Sequence, residues 1–222
     1  MTTKSKWLAL FGLPAEANPK ALSHFPWVTI LLIVSSSWVS IAAFTNPTLF
    51  EALAFFPGMK TRYMGLNLLT VFFVHGDWLH LLSNMYCLFV FGDNVEDELR
   101  PFRYLLLVAG STAIGSLFSA WAGGGENIAH IGASGGIFGV MVFYLLRFPK
   151  ARFTYFFLFR FYSVPAGLVL LFFLFVQLSG GLEQLSRTAG GIDYMAHLGG
   201  AAVGFCCALL LRGAPKGRGY SL

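Results

Sequence analysis

Long apolar stretches with almost no charge run through most of this chain. A bilayer core of about 30 Å needs roughly 20 apolar residues to be spanned by a helix, and several stretches here meet or approach that length. Of the 222 residues, 56% are hydrophobic and only 11% are charged, which is too apolar for an ordinary soluble domain. The sequence therefore predicts an all-α polytopic membrane protein that folds as one compact bundle.

Hydropathy divides these stretches into six predicted spans. The first, third and sixth are the clearest, whereas the second and fourth are short and carry polar residues. We expect a short N-terminal segment (1–25), a membrane domain (26–212) and a short C-terminal tail (213–222). The six spans are predicted at 27–44, 78–92, 102–122, 132–147, 164–180 and 195–212.

Lysines and arginines are distributed unequally between the two sides that six spans create. Twelve of the 15 lie on the side of the termini and three on the other side. Because cytoplasmic loops carry the excess of Lys and Arg, both termini are predicted to be cytoplasmic in a multi-pass protein of the cell membrane. The twelve are Lys4, Lys6, Lys20, Arg100, Arg103, Arg147, Lys150, Arg152, Arg160, Arg212, Lys216 and Arg218; the three are Lys60, Arg62 and Arg187.

The net charge of +5 is therefore interpreted as a topology signal, and no nucleic-acid partner is predicted. The lipid bilayer is the predicted surrounding. Cys87, Cys206 and Cys207 all lie in apolar stretches and are interpreted as small buried side chains, neither disulfide-bonded nor metal-bound. No cofactor and no metal ion are predicted.

Polar side chains lie near the outer starts of the second, fourth and sixth spans. His80, Ser134 and His197 each lie about two residues inside a span, so at about 1.5 Å per residue they share a shallow depth. Asn84 follows His80 by four positions and shares its helix face. Polar residues inside a membrane are costly and tend to face a cavity or one another. We therefore expect these side chains to converge.

Small residues spaced four apart indicate which spans meet. Such pairs let helix backbones approach closely, so the fourth and sixth spans are predicted to touch and to bring Ser134 within hydrogen-bond reach of His197. A serine needs an adjacent base to become a nucleophile. The spaced small residues are Gly132 with Gly136, Gly135 with Gly139, and the series Ala196, Gly200 and Gly204.

A second requirement of acyl-transfer chemistry is a site for the oxyanion. The first N–H groups of the fourth span have no partner within the helix and carry the positive end of its dipole. Asn84 and His80 are predicted to add side-chain donors from the second span.

Four motifs resemble the rhomboid intramembrane serine proteases. They are "GASG" around Ser134, "HLLSNMYCLFVFGDNVE" from His80, "AHLGGAAVG" around His197, and "VPAG" at the fifth span. The resemblance extends over about residues 26–212, with motifs in order on separate spans. The Trp-Arg pair that this family often carries in its first outer loop is absent from residues 50–67.

The resemblance implies a six-helix core and a serine–histidine dyad that requires no acid. It implies that Ser134 is the nucleophile and His197 the base, with an oxyanion site formed by His80, Asn84 and the Ser134 N–H. Phe138 would stack near the histidine. The implied substrates are other membrane proteins, cut in or near a transmembrane helix. A catalytically inactive relative that escorts membrane proteins is the alternative function.

Several other assignments stay open from the residues alone. His75 is a possible site-lining residue, and His130 is a rival to His197 as base. Asp193 is interpreted mainly as a helix cap, with the third member of a triad as the alternative. A metalloenzyme built from these histidines and His80 is a further, weaker hypothesis.

The fifth span carries large apolar side chains and few small ones, and together with the resemblance this predicts a mobile gate between the site and lipid. The Gly-rich loop 179–195 is predicted to act with it as a lid. The basic and aromatic stretch 147–164 is expected to lie partly at the membrane interface. Pro165 is expected in the first turn of the fifth helix.

Overall fold

The computed structural model describes residues 1–11, 13, 15–19, 21–59, 62–122, 128–184 and 191–211. Most of these residues lie in α-helices, joined by short 3-10 turns and three short strands. In chain order the elements are α1 (Thr3–Leu10), β1 (Ala15–Glu16), α2 (Trp27–Phe44), α3 (Pro47–Leu53), α4 (Asn67–Thr70), α5 (Trp78–Leu99), α6 (Pro101–Trp121), α7 (Ser134–Arg147), β2 (Arg152–Phe157), β3 (Arg160–Pro165), α8 (Ala166–Gln184) and α9 (Tyr194–Leu210).

Three of these helices are long and apolar enough to cross a membrane. They are α2, α6 and α8, with mean hydropathies of 1.9, 1.4 and 1.8. The expectation that the sixth predicted span is among the clearest is wrong, because α9 has only 17 residues and α8 takes its place. Each of the six predicted stretches coincides with a helix, and a count of six membrane crossings stays a prediction.

Helix α7 lies at the centre of the bundle. Eleven of its 14 residues are buried, and it packs against α9, α6 and α5. Because α7 is short and contains three glycines, the neighbouring helices approach it closely and bury most of its surface. Helix α8 packs mainly on α9 and makes few contacts with α5.

Glycines decide how closely α7 and α9 approach. A Cβ atom at Gly200 would lie 1.9 Å from the backbone oxygen of Gly135, and one at Gly204 would lie 2.1 Å from that of Gly139. The predicted contact between the fourth and sixth spans is therefore confirmed. The expectation that Gly132 and Gly136 form a spaced pair on one helix is wrong, because Gly132 precedes α7 and has a φ of 104°.

A small antiparallel sheet corrects the expectation of an all-α fold. Its strand order is β1-β2-β3, with Ala15 opposite Thr154 and Phe153 opposite Val164. The stretch expected at the interface thus folds back as a hairpin, since its aromatic and β-branched residues favour strands. Pro165 is the last residue of β3 and lies just before α8, so its predicted place in the first helical turn is also wrong.

Buried carboxylates tie several of the helices together. Glu96 of α5 is fully buried and accepts hydrogen bonds from the backbone N–H groups of Val28 and Thr29, at 3.0 and 2.8 Å. Its carboxyl group thus caps the N-terminus of α2, where backbone N–H groups have no partner within the helix. Glu98 pairs with Arg147, whose guanidinium also donates to the backbone oxygen of Leu211 at 2.8 Å. The last turns of α5, α7 and α9 are joined in this way.

Candidate active site

Ser134 is the first residue of α7, and the turn before it requires glycine. Gly132 has a φ of 104°, and a Cβ atom there would lie 2.6 Å from Nε2 of His80. Its backbone N–H donates to the oxygen of Val71 at 3.0 Å, which fixes the turn against the preceding loop. The serine is therefore presented at a helix N-terminus, where backbone N–H groups lack helical partners.

His197 lies in the first turn of α9 and faces Ser134. Its Nε2 is 2.8 Å from the Ser134 hydroxyl oxygen, and the imidazole is buried with 8% exposure. The ring of Phe138 stacks on the imidazole at a centroid distance of 4.3 Å and an interplanar angle of 11°. The predicted contact of serine and histidine and the predicted aromatic neighbour are both present in the fold. The catalytic roles of these residues stay predictions.

The other imidazole nitrogen has a partner that the sequence did not reveal. Nδ1 of His197 lies 2.7 Å from the side-chain oxygen of Gln177, which belongs to α8 and is buried with 5% exposure. One signal was available: among residues 166–178, Gln177 is the only polar side chain. A polar group in an otherwise apolar span usually faces a partner, but nothing local says which partner.

Asp193 contacts a different histidine from the one a triad would need. As the N-cap of α9 it accepts the Ala196 N–H at 3.0 Å, and it also pairs with Nδ1 of His130 at 2.6 Å. Burial raises the pKa of the Asp193 carboxyl. The hydrogen bond from His130, the charge of His130 and the other N–H and O–H groups that donate to the carboxyl have the opposite effect. Together they outweigh burial, and the pKa is lowered to about 2. The cap interpretation is confirmed, whereas a triad acid at His197 and a base at His130 are wrong.

His80 and Asn84 lie on α5 at the edge of the site. Asp77 caps this helix by accepting the His80 N–H at 2.8 Å, and the imidazole lies against Gly132, two residues before the serine. The side-chain amide of Asn84 donates to the backbone oxygen of His80 at 2.9 Å, within its own helix. The fold thus brings His80 beside the serine loop, and an oxyanion role for either residue stays a prediction.

His75 supports the serine loop from behind. It is fully buried, and its Nε2 accepts the N–H of Ala133, the residue before Ser134, at 3.3 Å. With Nε2 accepting, Nδ1 carries the proton and donates to the Ser40 hydroxyl at 2.9 Å, which in turn donates to the backbone oxygen of Phe73. His75 therefore lines the site through the backbone next to the serine.

His75 and His80 lie closer together than a shared helix would allow. Their ring centroids are 4.9 Å apart, because His75 precedes α5 and the chain turns between them. Burial, together with the neighbouring His80, lowers the pKa of His75 to about 3, although the charge of Asp77 acts in the opposite direction. A neutral imidazole suits its place as an acceptor for the backbone N–H.

Among the described residues, no group of three or more His, Cys, Asp or Glu side chains converges as metal ligands do. The histidines of the metalloenzyme hypothesis have the separate partners given above. The three thiols are free, with Cys206 exposed and the other two half-buried. The expectation that all three are buried is wrong for Cys206, because it lies on the outward face of α9.

An apolar groove of about 590 Å³ separates α5 from α8. Leu82 and Tyr86 line it from α5, Leu168 and Phe172 line it from α8, and the small sheet closes one end. Phe173, which also lines the groove, lies 6.4 Å from the Phe138 ring that stacks on the imidazole. Phe173 thus links the lining of the groove to the aromatic ring that covers the imidazole.

The predicted lid is only partly described. Residues 179–184 belong to α8, so the expectation of a loop there is wrong, and residues 185–190 lie outside the described residues.

Fold and site together define a helical membrane protein with a buried serine–histidine contact at the ends of its central helices. The chain belongs to the rhomboid family, since the rhomboid domain matches its residues 62–214.

Three relatives illustrate this membership. Rhomboid protein 1, mitochondrial, of Saccharomyces cerevisiae is 32% identical over 136 residues, which are 60% of this chain and 38% of that protein. Rhomboid-like protein 11, chloroplastic, of Arabidopsis thaliana is 29% identical over 72% of this chain and 59% of its own length. RHOMBOID-like protein 2 of the same plant is 30% identical over 70% of this chain and 45% of its own length. The chain thus spans less than two thirds of the length of each of these relatives.

Proposed function

We propose that this protein is an intramembrane serine endopeptidase that cleaves transmembrane segments of other membrane proteins. The observation that carries the proposal is the distance of 2.8 Å between Nε2 of His197 and the hydroxyl oxygen of Ser134. Membership of the rhomboid family supports the same reaction. A hydroxyl becomes a competent nucleophile when an adjacent base can take its proton.

The reaction proceeds by acyl transfer through the two side chains. His197 takes the hydroxyl proton as Ser134 attacks the carbonyl carbon of the substrate, and it returns that proton to the leaving amine. Water then attacks the acyl-enzyme, again with His197 as base. Each step uses the same imidazole nitrogen, so the orientation of the ring decides the rate.

The negative charge of the tetrahedral intermediate needs donors around it. The Ser134 N–H lies at the start of α7, where the dipole favours an anion. The proposed side-chain donors are His80 and Asn84. The side-chain amide of Asn84 has two N–H donors. One bonds to the backbone oxygen of His80, and the second is the proposed donor to the oxyanion. Losing one such donor typically costs about 10² to 10³ in rate.

The proposed topology has six membrane crossings, cytoplasmic termini and a site toward the outer side of the cell membrane. The division of Lys and Arg into twelve and three supports this orientation. The starts of α5, α7 and α9 lie together at one end of the bundle. Two contacts join them there, Ser134 with His197 and Ala133 with His75. The pairing of Arg147 with Glu98 joins the far ends of α7 and α5.

The proposed substrate reaches the site from the lipid, through the groove between α5 and α8. Apolar side chains line this groove, as a transmembrane helix would require. A helical peptide bond is hydrogen-bonded and shielded, so the substrate must unwind locally before the serine can attack it.

The test uses purified protein in liposomes with a panel of tagged single-span membrane proteins. We expect cleavage by the wild type and its loss in Ser134→Ala and in His197→Ala, because each removes one partner of the proton transfer. Ser35→Ala is the matched control, since this half-buried serine donates to backbone carbonyls of its own helix. A fluorophosphonate probe should label the wild type and Ser35→Ala, but neither Ser134→Ala nor His197→Ala.

Two outcomes would contradict the proposal. Cleavage by Ser134→Ala at the wild-type rate would mean that another group is the nucleophile. Substrate binding by the wild type with neither cleavage nor probe labelling would favour the alternative, an inactive escort of membrane proteins.

A further inference from the structure

Gln177 is the only polar side chain among residues 166–178 of α8. Burying an amide in an apolar span costs free energy unless the amide is hydrogen-bonded. Only four residues of α8 are buried, and Gln177 is one of them, whereas its neighbour Leu178 is 55% exposed. The helix is therefore oriented so that this amide faces the bundle.

The partner of Gln177 is the imidazole that faces the serine. Its side-chain oxygen lies 2.7 Å from Nδ1 of His197, on the opposite side of the ring from Ser134. An oxygen at this distance is an acceptor, so Nδ1 carries the proton in this arrangement. Nε2 then has its lone pair free to accept the serine proton, which is the tautomer that a general base needs.

The reverse orientation of the amide would have the opposite consequence. If the amide nitrogen donated to Nδ1, the imidazole proton would reside on Nε2 and block proton transfer from the hydroxyl. The identity of the Gln177 atom that faces the ring thus decides whether the imidazole is a base or a donor toward Ser134.

We propose that Gln177 is a positioning residue that fixes the tautomer and orientation of His197, so that Ser134, His197 and Gln177 form a linear arrangement. This inference rests on the proposed protease function and deepens it. Phe138 restrains the plane of the ring by stacking, and Gln177 restrains its rotation within that plane. The carboxyl of Asp193, which would be the usual third group, is engaged with His130 instead.

The arrangement also couples the base to α8. Because Gln177 belongs to a helix that packs loosely next to the groove, moving α8 away from α9 withdraws the acceptor from Nδ1. The base then loses its fixed tautomer whenever α8 is displaced and regains it when α8 returns. Cleavage consequently requires α8 to close again after substrate has passed.

Nitrogen-15 NMR of histidine-labelled protein reads the tautomer directly. The His197 signals are assigned by difference from His197→Ala, at neutral pH and without substrate. We expect a protonated, pyrrole-type Nδ1 and an unprotonated, pyridine-type Nε2. The reverse pattern would overturn the proposal, and this readout does not depend on catalytic activity.

Kinetics of three variants form the second arm. Gln177→Met keeps the length of the side chain but removes the amide oxygen, so we expect kcat to fall about tenfold with KM nearly unchanged, and both tautomers to appear in the spectrum. Gln177→Glu retains an acceptor for Nδ1 and should restore most of kcat. Leu178→Met, on the exposed side of the same turn, should match the wild type.

The outcomes separate this inference from the proposed function. Wild-type cleavage that does not depend on Ser134 would defeat the protease proposal, while the tautomer could still be read. Ser134-dependent cleavage that is equally fast in Gln177→Met, with an unchanged spectrum, would overturn only the role of Gln177. If Gln177→Met fails to fold, the wild-type spectrum alone decides.

Discussion

The imidazole of His197 contacts three side chains that come from two neighbouring helices. Ser134 and Phe138 lie one turn apart on α7, so a single helix provides both the hydroxyl and the stacked ring. Gln177 approaches from α8 on the far side. With both nitrogens bonded and one face covered, the buried ring has its polar groups satisfied, as an apolar interior requires.

Gly200 is the residue on which the distance between serine and histidine depends most directly. A methyl group in Gly200→Ala would meet the backbone oxygen of Gly135 at 1.9 Å, and no side-chain rotation relieves a clash with backbone. Helices α7 and α9 must separate, so we expect at least a tenfold loss of cleavage and a destabilisation of about 1 to 3 kcal/mol. Proteolysis assays and thermal unfolding in detergent measure the two effects.

The matched control is Gly167→Ala, since a Cβ atom at that glycine of α8 has no atom within 4 Å. This variant should keep wild-type activity and unfolding temperature. Equal activity of the Gly200 and Gly167 variants would show that close approach of the two backbones is not needed.

Helices α7 and α8 differ in how firmly the fold holds them. Helix α7 is enclosed by three helices, whereas α8 has only four buried residues and packs chiefly against α9. Few buried apolar contacts mean a low free-energy cost of displacement. Of the helices beside the groove, α8 is therefore the one expected to move, in agreement with the predicted gate.

A crosslink across the groove tests this movement. Leu82→Cys and Phe172→Cys place thiols on α5 and α8, in a protein whose three native cysteines are replaced by alanine. A reducible crosslinker that spans the groove should suppress cleavage of a membrane-embedded substrate while leaving Ser134 reactive toward a small fluorophosphonate. Reduction should restore cleavage.

Each single-cysteine protein treated with the same reagent is the control and should remain active. Undiminished cleavage by the crosslinked protein would refute passage of substrate between α5 and α8.

At the scale of the whole molecule, the bundle has two chemically different ends. One end carries the starts of α5, α7 and α9, with the polar residues of the site. The other end carries the hairpin of β2 and β3 and the pairing of Arg147 with Glu98. If all six helices cross the bilayer, these ends lie on opposite sides of the membrane.

Two exposed positions of equal accessibility test that topology. Met64 is 94% exposed near the site end, and Phe159 is 93% exposed at the hairpin tip. In the cysteine-free protein, we expect a membrane-impermeant maleimide to label Met64→Cys in intact cells. Phe159→Cys should react only after lysis. Labelling of the hairpin position in intact cells would contradict cytoplasmic termini.

Local sequence determined the helices and most of the site. Each predicted span matched a helix because hydropathy is a property of a continuous stretch, and Ser134, His197 and Phe138 lie together because spaced glycines let α7 and α9 touch. The hairpin was missed because an apolar, aromatic stretch favours a strand or a membrane-facing segment equally until a pairing partner is known.

The partners of the polar side chains were decided only by the tertiary structure. Asp193 lies four residues before His197 in the chain, yet it pairs with His130, 63 residues away. Gln177 of α8 bonds to His197 of α9, which follows it by 20 residues. Hydrogen bonds depend on distances of about 3 Å, and such distances between separate helices follow from how the helices pack, which no local pattern specifies.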